Sequence, residues 1–295
     1  MLIRSETLRA TEMVSFEIGK NRYLIAASYI ESVKEADAVE RLPFAVFNLG
    51  SNFGEFSEHA ANLKIIVLNT RGHRWGFLVE RVSQVMGVYK DSFYQIPQIA
   101  LPKEGFFRQV AQIERHLVLC IEPEKLFDFY NGKTPDQTAN MLATKQPKAS
   151  SVLSASETQN SSQKLFLFSA DGSETFFGLS IKQVIEVIPS EQVCRVPYSS
   201  PMILGLVLWR SLPVPVLDIG SKFGLALKSE RLVIVRIGNE QFALPASTNI
   251  KLQPLPFRYG KYSDKRFDES SVYGVFEMDR GVLVIPKLEN LVAAC

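Results

Sequence analysis

Three histidines, three cysteines and a few glycine-containing motifs are the residues whose types would suit catalysis or metal binding. Zinc needs three or four ligands gathered at short spacings. His59, His73 and His116 share no such spacing, and Cys120, Cys194 and Cys295 contain no C-x-x-C pair. Thiols this few and scattered give no disulfide framework and read as buried or incidental groups in a reducing compartment. A hydrolytic nucleophile elbow requires G-x-S-x-G, whereas residues 50–54 and 220–224 read G-S-x-F-G. Gly132-Lys133-Thr134 ends like a phosphate loop, but Phe127 stands where its first glycine is needed. No G-x-G-x-x-G follows a strand-like run. The chain therefore reads as a protein without catalysis, metal or cofactor.

Charge narrows the partners. Lys and Arg number 33 against 31 Asp and Glu, a net charge of +2. That balance argues against nucleic acid and against a polybasic membrane anchor. Hydrophobic residues reach 46% with 20 Phe, enough for real cores. The apolar runs at 65–68 and 117–121 fall far short of the roughly 18 residues that cross a bilayer. The start of the chain has no apolar signal-peptide segment. The expectation is a cytoplasmic protein with no direct membrane insertion.

The elements that would position binding residues are mostly strands. Short β-rich runs such as MVSFEIG, LKIIVLNTRG, KLFLFSADG, RLVIVRIGN and GVLVIPK end in Gly- or Asn-containing turns. Helical text is confined to residues 122–130, to 181–187 as a short helix or one turn, and to a helical turn in G-S-x-F-G after Ile219. Residues 132–163 are rich in Ser, Thr, Gln, Asn, Ala and Lys and lack aromatics. Such a segment cannot offset its chain entropy by burial, so 132–162 reads as a flexible linker. Its ends would sit roughly 30 Å apart. The flanking domains are 12–131 and 163–292.

These domains repeat one another. RLPFAVFNLGSNFG (41–54) and SLPVPVLDIGSKFG (211–224) share seven of fourteen residues at an offset of 170. KIIVLNTRGHRWGF faces RLVIVRIGNEQFAL at an offset of 167, and ERHLVLCIEPEKLF faces DRGVLVIPKLENLV at 165. Three matches in one order indicate an internal duplication. The offset rises from 155 at Ile30/Ile185 to 170, so the first repeat lacks about fifteen residues around the counterparts of Gly205 and Arg210. Asn48 replaces the counterpart of Asp218.

The second repeat resembles the CheW-like domain family. ILGLVLWRSLPVPVLDI (203–219) is similar to its signature, roughly I-K-G-V-I-N-L-R-G-x-x-x-P-V-x-D-L, with Gly205, Arg210, Pro215, Val216 and Asp218 on marked positions. Leu208 and Ser211 depart from it. The first repeat resembles another part of the same family: Gly76, Val79, Val82 and Val85 match G-L-x-V-D-x-V-x-x-V, with Glu80 for the usual Asp. The second repeat has lost that piece.

The resemblance implies an all-β fold of two tandem CheW-like domains, each of two five-stranded SH3-like barrels with short helices. It implies a scaffold coupling the cytoplasmic tip of chemoreceptors to the regulatory domain of a CheA-type histidine kinase, with other CheW-like proteins as further partners. Recruitment to membrane-associated receptor arrays follows. Receptor-binding candidates are Val187, Ile188, Gly205, Val207, Trp209, Arg210 and Asp218; kinase-binding candidates are Val79, Glu80 and Val82. Gly205 would permit close backbone approach. Arg210 would donate to a receptor carboxylate or carbonyl, or brace the loop by pairing with Asp218. The alternative is an interaction protein diverged toward another motility, polar-localisation or pilus-related assembly.

Overall fold

Short β-branched and aromatic runs build the sheets, and their central strands are buried on both faces: Val233 and Val235 pack in one core while Leu232 and Ile234 pack in another. The computed structural model describes residues 10–53, 62–132, 164–169, 174–225, 229–254 and 266–295. The linker expected over 132–162 lies, apart from Gly132, outside these residues.

In the first half one sheet has the order β7-β1-β2-β10-β9-β8. Its strands are β1 (Ala10–Ile18), β2 (Asn21–Ala26), β7 (Arg81–Tyr89), β8 (Phe93–Gln95), β9 (Phe107–Ile113) and β10 (His116–Ile121). The other sheet is β3-β5-β6-β4, from β3 (Ile30–Glu35), β4 (Val46–Phe47), β5 (Lys64–Thr70) and β6 (His73–Val79). Helix α1 (Leu49–Phe53) follows β4, and α2 (Pro123–Tyr130) follows β10. Arg71, at the β5–β6 turn, is tied to α2 through Glu124 at 2.8 Å and Asp128 at 3.4 Å.

The second half repeats the plan with two five-stranded sheets. One is β18-β11-β12-β20-β19, from β11 (Lys164–Ser169), β12 (Thr175–Ser180), β18 (Ile250–Pro254), β19 (Val272–Glu277) and β20 (Val282–Pro286). The other is β13-β16-β17-β15-β14, from β13 (Val184–Pro189), β14 (Ile203–Trp209), β15 (Leu212–Leu217), β16 (Arg231–Ile237) and β17 (Glu240–Ala246). Helix α3 (Leu288–Ala293) stands where α2 does.

The all-β, two-sheets-per-half reading holds, and strand counts differ from five and five only in the first half. There β4 ends its sheet, and among the described residues no strand corresponds to β14. The other sheet gains β8 on β9. Residues 122–130 are helical as expected. Residues 181–187 are not: a turn leads into β13, which pairs antiparallel with β16. The β-branched Val184, Ile185, Val187 and Ile188 suit a strand better than a helix.

The main core runs through both halves, from Phe16, Tyr23, Phe77 and Phe107 to Phe168, Phe177, Phe223 and Leu244. At the seam β14 lies against β10 and the turn at 98–100, and β15 against β8. Tyr198 meets Phe53, Phe106 and Phe129 there, with ring centroids 5.8–6.1 Å apart.

Candidate functional site

The β14–β15 hairpin turns on two residues. Trp209 pairs with Leu212, leaving Arg210 and Ser211 in the bend at φ of 48° and 61°. Two successive positive φ values are the geometry that matches the twist of a two-residue hairpin. This turn aims Arg210 outward, and its guanidinium lies 4.6 Å from the centre of the Trp209 ring. Its Nη2 donates to Glu186 Oε2 at 2.9 Å, and Trp209 Nε1 donates to the same oxygen at 3.1 Å. Glu186 comes from β13, at the opposite edge of the sheet. The sheet has rolled until its edges meet, and one carboxylate locks both side chains of the hairpin tip.

Around this lock the surface is mixed. Val187 is 36% exposed and Leu212 50%. Trp209 is 8% exposed and belongs to a core with Val207, Val214, Val216, Leu232 and Ile234, against which Ile188 packs. Val207 is fully buried, so it supports the hairpin from beneath.

Gly205 and Asp218 act on the chain's own backbone. Gly205 sits at a β-bulge with φ +145°, a conformation side chains rarely adopt. Its missing Cβ makes room for the Cys194 segment, which forms a bridge with Leu206 through two 2.8 Å hydrogen bonds. Asp218 Oδ1 accepts the Ser221 N–H at 3.0 Å, and its carbonyl accepts the Ser221 hydroxyl at 2.8 Å. The expected Arg210–Asp218 brace does not form. The two residues stand at opposite ends of β15, roughly 20 Å apart along the strand, and Arg210 pairs with Glu186 instead. Burial raises the Asp218 carboxyl above the usual aspartate range, against hydrogen bonds from the Ser221 and Gly220 backbone that lower it. In the first half Asn48 Oδ1 accepts the Ser51 N–H at 3.1 Å, the same turn built with an amide.

The second candidate set lies at the β6–β7 junction. Val79 is buried in the main core, and Val82 packs on it partly exposed. Glu80 Oε1 accepts the Gly19 N–H at 3.0 Å, and the Glu80 N–H donates to the Glu17 carbonyl at 3.0 Å. These residues fasten the β1–β2 turn to the start of β7, an edge strand. Beyond them β7 exposes Val85 and Tyr89.

Sequence reasoning did not single out Glu186, Leu212, Tyr89 or Tyr198 as site residues. Glu186 had one usable signal: an acid inside a β-branched run, where a charge needs a partner.

Among the described residues no group of three His, Cys, Asp or Glu is placed to hold a metal, and no helix is long and apolar enough to cross a membrane. Comparison with protein-family models matches the CheW-like domain twice, at residues 12–130 and 164–294. Among curated proteins there is no match. A solved structure, the scaffolding protein TtCheW from Thermoanaerobacter tengcongensis, is similar at 24% identity, covering 45% of this chain and 89% of that one with a TM-score of 0.40.

Proposed function

Because the chain belongs to the CheW-like domain family, with two matched regions spanning most of its length, we propose that it is a non-catalytic adaptor of a chemosensory system. It couples the cytoplasmic tip of chemoreceptors to the regulatory domain of a CheA-type histidine kinase, with other CheW-like proteins as further partners. It works in the cytoplasm and is recruited to membrane-associated receptor arrays, without nucleic acid and without inserting into the membrane itself.

The observation that carries the reading is the locked Glu186–Trp209–Arg210 tip with exposed Leu212 paired to Trp209. A helical receptor tip offers apolar anchors with acidic or polar flanks. Leu212 and Val187 are the exposed apolar side chains offered to the anchors, and Ile188 supports the hairpin from the core. Arg210 bonds Glu186 through Nη2, leaving its other donors to bind an acidic flank. Holding the guanidinium and indole in place before binding reduces the side-chain entropy lost on association. Gly205, Val207 and Asp218 position this surface from behind. For the kinase domain the contact is β7, where Val79 and Glu80 fix the strand, Val82 is partly exposed over the core, and Val85 and Tyr89 are exposed.

The test measures binding of the purified chain to a receptor-tip fragment and to the kinase regulatory domain. Arg210→Ala is expected to weaken receptor binding about tenfold or more, the scale of a central arginine anchor, without loss of fold. A folded chain that binds neither partner overturns the proposal.

A second reading, a diverged interaction protein of another motility, polar-localisation or pilus-related assembly, draws on one observation. The first half's four-stranded sheet lacks the Arg-bearing hairpin. Binding to neither partner, with co-purification of such an assembly, favours it.

A further inference from the structure

In the first half the six-stranded sheet carries a second core on the face away from the main one. Val14, Phe16 and Ile18 of β1 enter the main core, whereas Met13 packs with Leu24, Val88 and Cys120. β7 and β8 are the two edges of this sheet, yet only Lys90–Ser92 separate them in the chain. The sheet is therefore rolled around its second core. A cavity of about 690 Å³ opens onto that core, a volume typical of small-molecule sites.

The lining divides by chemistry. Met13, Ala26, Phe93 and Cys120 form an apolar floor continuous with the second core. Gln95 and Gln109, paired across β8 and β9, present neutral amides. Glu122, Lys90 and Lys125 bring charges of both signs. Among the described residues none of these polar side chains makes a hydrogen bond or an ion pair. Glu124, also in the lining, is already spent on Arg71 and Tyr29. Glu122 is half-buried. Burial raises its carboxyl, against the charges of Arg108 and Lys125, which lower it. A charge drawn out of water gains from a bonded partner more than an exposed one does.

The second half shows that this chemistry is not simply inherited. Its α3 is pinned as α2 is: Gln183 Nε2 donates to Glu289 Oε1 at 3.2 Å, where the Tyr29 hydroxyl donates to Glu124 Oε1 at 3.4 Å. At the offset of 165, however, Ile285 corresponds to Cys120 and Lys287 to Glu122. Lys287 gives its ammonium to the Glu269 carbonyl at 2.5 Å. The first half thus has a smaller floor residue and an unspent acid where the second has a bulkier side chain and a satisfied cation.

We propose that this cavity binds a free dipeptide with apolar side chains. Those side chains rest on the Met13–Phe93–Cys120 floor. The N-terminal ammonium donates to Glu122, Gln95 and Gln109 bond the peptide link, and Lys90 takes the carboxylate. A zwitterion matches charges of both signs, which a simple amine or a simple acid does not. A free amino acid has no peptide link for the two glutamines, and a segment inside a longer chain brings neither charged end. Binding here needs neither receptor nor kinase, so it stands or falls apart from the adaptor reading.

The experiment is isothermal titration calorimetry on the full chain with free Phe-Leu, its N-acetyl form and its C-terminal amide. Free Phe-Leu is expected to bind tightest, with about tenfold lost on blocking either end, the scale of one charge-assisted hydrogen bond. Glu122→Gln should remove the loss on acetylation and keep the loss on amidation. Lys90→Met should do the reverse. A variant that merely misfolds cannot give that crossed pattern. No saturable binding by the folded chain, equal affinities for the three forms, or acetylation still costing about tenfold in Glu122→Gln overturns the proposal.

Discussion

Gly205 and Cys194 approach so closely that a Cβ on the glycine would stand 2.3 Å from the cysteine's carbonyl oxygen. Neither backbone can yield cheaply, because the Cys194–Leu206 bridge holds them in register with two hydrogen bonds. Gly205→Ala should therefore cost about 3 kcal/mol, combining overlap with an unfavourable φ. Urea unfolding checks this; a change below about 1 kcal/mol would mean that the bulge relaxes.

Trp209 and Arg210 are neighbours with opposite duties. Trp209 is 8% exposed within a packed core, so Trp209→Ala should lose about 3–5 kcal/mol of stability. Arg210 pairs with Glu186 at the surface, so Arg210→Ala should lose less than about 1 kcal/mol. Equal losses in denaturant titrations would contradict this division.

Asp218 and Asn48 cap equivalent turns, one as an acid and one as an amide. Burial raises the Asp218 carboxyl, so ionised Asp218 is disfavoured in the fold. The stability tied to its protonated form is present below the unfolded aspartate pKa and is lost as pH rises through the folded value. Asp218→Asn should then leave stability at pH 7 within about 0.5 kcal/mol or raise it, while Asp218→Ala loses about 1 kcal/mol with the cap. Thermal unfolding of the two variants side by side distinguishes the outcomes.

Asp268 behaves in the opposite sense. Hydrogen bonds from Ser270, then Ser271, hold its carboxyl at about 2. A depressed acid supplies stability above its unfolded pKa of about 3.9, and that contribution disappears as pH falls through about 2. Stability measured from pH 5 to pH 2 should fall less steeply in Asp268→Asn. An unchanged acid limb would remove Asp268 from it.

The duplication, the strand-rich halves and the hairpin motif were legible because each is written locally. The turn residues of G-S-x-F-G and the 170-residue offset need no tertiary contact to be seen. Residues 181–187 were misread because seven residues are too few for periodicity to separate one helical turn from a strand. Val207 and Val79 were read as contact candidates, but Val207 lies in a strand buried on both faces, with Leu206 in one core and Val207 in another, and Val79 sits in the main core. The Arg210–Asp218 pairing followed their nearness in sequence, which a hairpin strand converts into distance. Glu186 meets Arg210 only because the sheet closes edge to edge. Tyr198 meets Phe53 across 145 positions of chain (198 − 53), and no local pattern announces such a contact.

The first half's four-stranded sheet has a consequence for the chain's history. A freshly duplicated domain is redundant, and either copy can be discarded without loss. Once one copy had dropped the Arg-bearing hairpin and the other, at 245–255, no longer carried the valine-rich piece kept at 76–85, neither could stand in for the other. The duplication had by then become a ratchet: deleting either repeat removes a part the survivor no longer encodes, so the pair is inherited as one gene product or not at all.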